Sequence, residues 1–221
     1  MTAKCAALKA PTTNKREHKE SEITMANKAT PEFDTKIITP TFRLSYPHVW
    51  KATFNQLAKR EEFSIQMLFD KKTDKTALQP MVALVNKMKE WKGWSKAVGI
   101  RSPFIDGDGV NAKGEPWVVK NPSVAGMIFV RSWSKNQPGI VDLTGKHPIT
   151  QEDEIYGGCY CRAQVNAYAY DQAGQKGINF GLVHIQKIKD GQPFGNRTKA
   201  EDTFAPVEGE ISNADDNSMF G

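Results

Sequence analysis

The chain has 221 residues, 39% hydrophobic and 25% charged, with 30 Lys and Arg against 25 Asp and Glu for a formal net charge of +5. No run of about 18 apolar residues occurs, which argues against a membrane-spanning helix, and the opening MTAKCAALKAPTTNKREHK lacks the continuous apolar stretch of a secretory signal. Three cysteines, Cys5, Cys159 and Cys161, form no disulfide framework and suit a reducing compartment, so cytoplasmic residence is expected.

Residues 1–35 mix six Lys or Arg with five acids and show no apolar period, so they are expected to form a flexible arm. Met25 opens MANKATPEF and leaves two readings, a second start or an internal methionine. Residues 36–195 are expected to form one domain with a real core, and residues 196–221 a disordered acidic tail. The domain opens with strand-forming residues 36–44, interrupted by Pro40, which places them at an edge or bulge. A turn is expected at residues 45–48. In the next strand Phe63, Ile65, Met67 and Phe69 alternate with Ser64, Gln66 and Leu68, which puts four large apolar groups on a core face.

Between about residues 74 and 91 the period changes. Leu78, Met81, Val82, Val85 and Met88 recur at three- and four-residue steps and predict a helix, with Pro80 confined to its first turn. Residues 91–117 read as loops with short pieces of structure. Further strands are expected at residues 117–120, 126–133 and 139–143. A long hairpin follows, with arms 156–170 and 178–189 and a turn through residues 171–177, where Gly174 and Gly177 allow positive backbone dihedrals. The whole is mainly β, with one helix between early strands, a long hairpin and flexible ends. A small Greek-key barrel and a β-sandwich both satisfy that pattern.

The strand from Cys159 to Tyr170 separates into two faces at period two. Cys159, Cys161, Ala163, Val165, Ala167 and Ala169 make a narrow apolar face suited to tight curvature. Opposite them stand Tyr160, Arg162, Gln164, Asn166, Tyr168 and Tyr170, a mixture of rings, cation and amides able to stack bases and hold phosphates. Residues 126–133 repeat the theme with Arg131 and Trp133 on one face. His184 on the paired strand is a weaker candidate, because a one-residue register change would exchange Phe180, His184 and Gln186 for Val183, Ile185 and Lys187.

Catalytic readings lack a residue set. Asp106-Gly-Asp108 has neither the further carboxylates nor the closing Glu of a calcium loop, and Cys159-x-Cys161 lacks the second ligand pair of a zinc site. No metal, cofactor or catalytic residue is expected. Residues 201–221 hold six acids and no Lys or Arg, behind a basic body. That asymmetry suits a polyanion binder whose tail competes for the same groove.

Several stretches carry a family resemblance: Arg43-Leu-Ser-Tyr-Pro-His48, Phe63-Ser-Ile-Gln-Met-Leu-Phe-Asp-Lys71, Ile155-Tyr-Gly-Gly-Cys-Tyr-Cys-Arg162, Tyr168-Ala-Tyr170 and Lys176-Gly-Ile-Asn-Phe-Gly-Leu182. In this order, over about residues 37–195, they resemble the Enc34-like phage single-stranded DNA-binding proteins, with the Tyr-Gly-Gly and Tyr-x-Tyr hairpin as the most specific part. The resemblance implies an oligonucleotide-binding (OB) barrel that coats single strands in phage replication or recombination. The tail is similar to that of replicative binding proteins of short-tailed phages, which contact replication partners. Asp215, Asp216 and Phe220 are then the partner-binding candidates, although here Gly221 follows the phenylalanine. The expected function is non-catalytic single-stranded DNA binding. The alternatives are a structural or host-interaction phage protein and a strand-annealing or nuclease-associated one.

Overall fold

The computed structural model describes residues 30–56, 58–172 and 174–195. The chain divides between Asp34 and Thr35, and every element below belongs to the second unit. The strands are β1 (Lys36–Ile38), β2 (Phe42–Asn55), β3 (Arg60–Asp70), β4 (Phe104–Asp106), β5 (Met127–Ser134), β6 (Gly139–Val141), β7 (Tyr160–Gln172) and β8 (Gln175–Lys189). Helix α1 (Gln79–Trp91) lies between β3 and β4, and a single helical turn, α2 (Trp117–Lys120), precedes β5.

Neighbouring strands follow the order β7, β2, β3, β5, β8, and β8 pairs again with β7, so five strands close on themselves. All contacts in that ring are antiparallel except β5 with β8, where Ser132 faces Phe180 and Trp133 faces Gly181. This is an OB-like barrel. Closure removes the exposed edges that would otherwise invite pairing with other chains.

The sequence explains the ring locally. Pro40 has no N–H for the ladder, and the chain breaks there into β1 and β2, which lie along the same edge of β7. Thr39 bridges the gap, its N–H donating to the Ala163 carbonyl at 2.8 Å and its Oγ1 accepting from the Ala163 N–H at 3.0 Å. The small inward row of β7 is buried from Cys159 to Ala167 and lets the barrel curve around Phe42, Met67, Phe69, Val130 and Phe180. The Cys159 and Cys161 sulfurs lie 3.7 Å apart as free, buried thiols; contact with Cys159, together with burial, pushes the Cys161 thiol well above its ordinary range. Met81, Val85 and Met88 of α1 are buried, and the helix packs on β7 and β8. Pro80 sits in its first turn, as the periodicity predicts.

Three local expectations need correction. Residues 45–48 do not form a turn; they lie inside β2, where a bulge falls between Ser45 and His48 and Tyr46 adopts a φ of 46°. Residues 117–120 form α2 rather than a strand, because Trp117 and Val118 pack on Leu68, Val124 and Phe129, and this tertiary contact overrides the β-propensity of two adjacent valines. The hairpin turn is also tighter than residues 171–177: β7 runs to Gln172, β8 starts at Gln175, and of the two glycines only Gly174 takes a positive φ, at 74°. Gly177 serves instead to make room for the Tyr170 ring, whose hydroxyl would lie within 2.4 Å of an added Cβ.

Phe180 is fully buried, stacks edge-on with Phe104 at 6.2 Å and sits at the parallel closure. Phe180→Ala is expected to lower stability by about 3–5 kcal/mol, read as a lower urea midpoint with an unchanged slope.

Candidate nucleic-acid interface

The outer face of the β3–β5 pair follows directly from the register. Ser64 faces Trp133, Gln66 faces Arg131 and Leu68 faces Phe129. Inward neighbours Ile65, Met67 and Val130 fill the barrel, so the alternating residues must face out. At the Leu68–Phe129 end, α2 and the 3-10 turn Pro122–Val124 cover the sheet with Trp117, Val118 and Val124. Toward Ser64 and Trp133 the sheet is uncovered, leaving a groove of about 510 Å³ whose walls include Tyr46, His48, Arg60, Lys120 and Asn121.

Cations and rings are paired along this groove. The Arg60 guanidinium lies 3.5 Å above the Trp133 ring centre and donates Nε–H to Glu62 at 3.0 Å. Glu62 is buried and also accepts from Asn55 Nδ2 at 2.7 Å, so the carboxylate pins Arg60 on the ring. Trp133 Nε1–H donates to the Tyr168 hydroxyl at 2.8 Å, the two rings meeting edge to face at 6.2 Å and 87°. Burial of this ring raises the Tyr168 pKa, so the phenol stays protonated at neutral pH. At the other end Arg131 lies 5.0 Å from the Trp117 ring centre and 5.4 Å from that of Phe129, and has no carboxylate partner among the described residues. Dehydration by the walls lowers its pKa from the ordinary arginine value, which leaves it charged at neutral pH. The result is a trough offering π-faces and guanidinium charge at both ends, the two components that sequence-tolerant single-strand binders use.

The family model described as "Enterobacter phage Enc34, ssDNA-binding protein" matches residues 35–218. The chain belongs to that family. The solved single-stranded DNA-binding protein of bacteriophage Enc34 superposes with a TM-score of 0.59 at 23% identity, covering 76% of this chain and 89% of that one. The same phage protein in complex with ssDNA gives 0.61 at 23% identity, over 73% and 90% of the two chains. At that identity the likeness bears on the fold. A protein of Acyrthosiphon pisum secondary endosymbiont phage 1, p50, is 33% identical over 70 residues, spanning 32% of this chain and 38% of that relative's length.

The residues singled out from the sequence of this Enc34-family member divide into two groups. Arg131 and Trp133 line the groove, and Tyr168 joins them by its bond to Trp133. Tyr160, Arg162, Tyr170 and His184 share the outward side of β7 and β8 but lie outside the groove. Tyr160 is flanked by Arg43 and Lys189, with cation-to-ring distances of 5.7 and 4.7 Å. Arg162 Nε–H donates to Gln186 Oε1 at 2.6 Å, and Gln186 in turn donates to the Leu143 carbonyl. Tyr170 covers Gly177, and His184 is exposed opposite Gly139. Asp215, Asp216 and Phe220 lie outside the described residues.

Groove residues that alternation did not single out are Tyr46, His48, Arg60, Gln66, Trp117, Lys120 and Asn121. One signal was present in the sequence: Gln66 is a large polar residue set between the core residues Ile65 and Met67 of β3. The Asp106-Gly-Asp108 turn proves to be closed by Lys71, whose ammonium contacts both carboxylates, at 2.6 Å for Asp108. Hydrogen bonding to Lys71 lowers the Asp106 pKa and a bond from the Gly126 N–H lowers that of Asp108.

Removing the pin beneath Arg60 tests this geometry. Glu62→Ala removes the carboxylate that accepts from Arg60 and Asn55 and is expected to cost about 1–3 kcal/mol of stability, measured by chemical unfolding.

Proposed function

We propose that this chain is a non-catalytic single-stranded DNA-binding protein that coats unpaired phage DNA during replication or recombination in the host cytoplasm. The observation that carries the reading is the groove over β3 and β5, in which Arg60, Trp133, Arg131 and Trp117 alternate guanidinium and ring across an uncovered sheet. Bases stack on the indoles and on Tyr46, while Arg131, Lys120 and Arg60 neutralise phosphates along the rim. Tyr168 acts through Trp133, fixing its plane. Tyr160, Arg162, Tyr170 and His184 extend the track over β7 and β8 once a strand runs past the groove. Membership in the Enc34 family supports the reading, as does the Enc34 protein's own structure with ssDNA. No helix among the described residues is long and apolar enough to cross a membrane. The acidic tail recruits replication or recombination proteins through Asp215, Asp216 and Phe220 and shields the empty groove.

Fluorescence titration of labelled oligo-dT, with duplex of the same length as competitor, tests the proposal. Tight oligo-dT binding that duplex fails to compete is expected, with log K falling against log salt by about 0.7 per phosphate neutralised. Indifference to oligo-dT at low salt would overturn it. In the same assay Trp133→Ala is expected to weaken binding by about 1–3 kcal/mol. Truncation after residue 200 is expected to tighten it, and unchanged or weaker affinity would remove the shielding role.

A further inference from the structure

Beside the groove, across the barrel seam, lies a second opening of about 320 Å³, lined by Trp133, Asn166, Tyr168, Gly181, Leu182 and Val183. The strand ladder explains why a notch forms there. β5 leaves β8 after the Trp133–Gly181 pair, and β6 joins that edge of β8 only at His184, so the pairings skip Leu182 and Val183 on that side. On the opposite edge Val183 is skipped again, because Gln164 faces His184 while Val165 faces Leu182. Gly181 stands between Phe180 and Leu182, which are both buried in the barrel, so its bare side faces outward and floors the notch.

Trp133 lines both openings, so the groove and the notch share that ring as a wall. Trp133, Asn166, Tyr168, Gly181 and Val183 are all half-buried, which leaves the notch within reach of a ligand from solvent. Positive charge accompanies it: Arg60 lies on the Trp133 ring, and Lys36, the cross-strand neighbour of Asn166 on β1, stands on the same face of the sheet. No Asp or Glu lines the notch. Ring walls, a floor free of side chain and cations nearby are the features that suit a stacked base with its flanking phosphates.

We propose that the notch is a second nucleotide subsite: a single strand leaving the groove crosses the β5–β8 seam over Trp133 and places one base against Tyr168, above Gly181. This rests on the groove being the DNA-binding surface. The subsite gives the track a direction, across the seam toward β7 instead of along β3 and β5. It also gives Tyr168 a contact of its own besides holding Trp133.

The test uses the full-length protein and an oligo-dT of about 16 nucleotides, the upper end of what one OB fold covers. With its thymines replaced by bromodeoxyuridine, irradiation is expected to give an adduct on Tyr168 as well as on Trp117 in the groove. Gly181→Val fills the notch. A Cβ at that position meets the Asn166 carbonyl, the Trp133 carbonyl and Tyr168 Cδ1 at 3.7, 3.8 and 3.9 Å, ordinary contact distances, so the variant is expected to unfold at no lower urea concentration than the parent. It is expected to bind oligo-dT about tenfold more weakly, the effect of one lost stacked base, and to lose the Tyr168 adduct while keeping that on Trp117. Gly181→Ala, which adds the Cβ alone, is expected to fall between the two. Absence of a Tyr168 adduct in the parent, unchanged affinity in both variants, or loss of the Tyr168 and Trp117 adducts together would overturn the notch and leave the proposed function standing. Failure of the parent to bind oligo-dT at all would overturn both.

Discussion

The short parallel contact between β5 and β8 is the constraint on which the rest depends. Only two residue pairs make it, Ser132 with Phe180 and Trp133 with Gly181, and the buried Ser132 hydroxyl reinforces it by donating to the Phe180 carbonyl at 2.9 Å. Without that contact the sheet would be an open strip with β5 and β8 as edges. With it, Trp133 is carried next to β7, where Tyr168 receives its indole N–H, and the exposed side of β3 and β5 becomes a trough rather than a flat face.

The electrostatic plan is one of pre-placement. Arg60 and Arg131 are each placed against an indole, and Arg60 is further held by the buried Glu62. Ordering a long side chain in advance reduces the entropy lost when a ligand arrives. In the proposed binding mode, a base that stacks on the Arg60 face of Trp133 takes the place of the guanidinium.

The barrel was legible in the sequence where period two or period 3.6 held without interruption: the core face of β3, the two faces of β7 and the stripe of α1. It was not legible where bulges reset the count. In β8 the inward row runs through Ile178, Phe180 and Leu182 and then moves to Ile185, because Gln164 faces His184 while Val165 faces Leu182, leaving Val183 without an opposite residue. No composition rule announces such an insertion, and this is why the row containing His184 stayed ambiguous. The candidate site was partly legible for a related reason. Alternation correctly assigns residues to the outside of a strand, but a barrel has an outside all the way round. Which sector is a groove depends on what covers the others, and Arg60, Trp117 and Asn121 reach the trough from a strand start, a helical turn and a loop that carry no period.

The central claim, that unpaired nucleotides lie across β3 and β5, is tested most directly by photocrosslinking the full-length protein to bromodeoxyuridine-substituted oligo-dT and locating the adducts by mass spectrometry. The account predicts adducts on Trp133, Trp117 and Tyr46. Adducts confined to Tyr160 and Tyr170, with none on the groove rings, would contradict it.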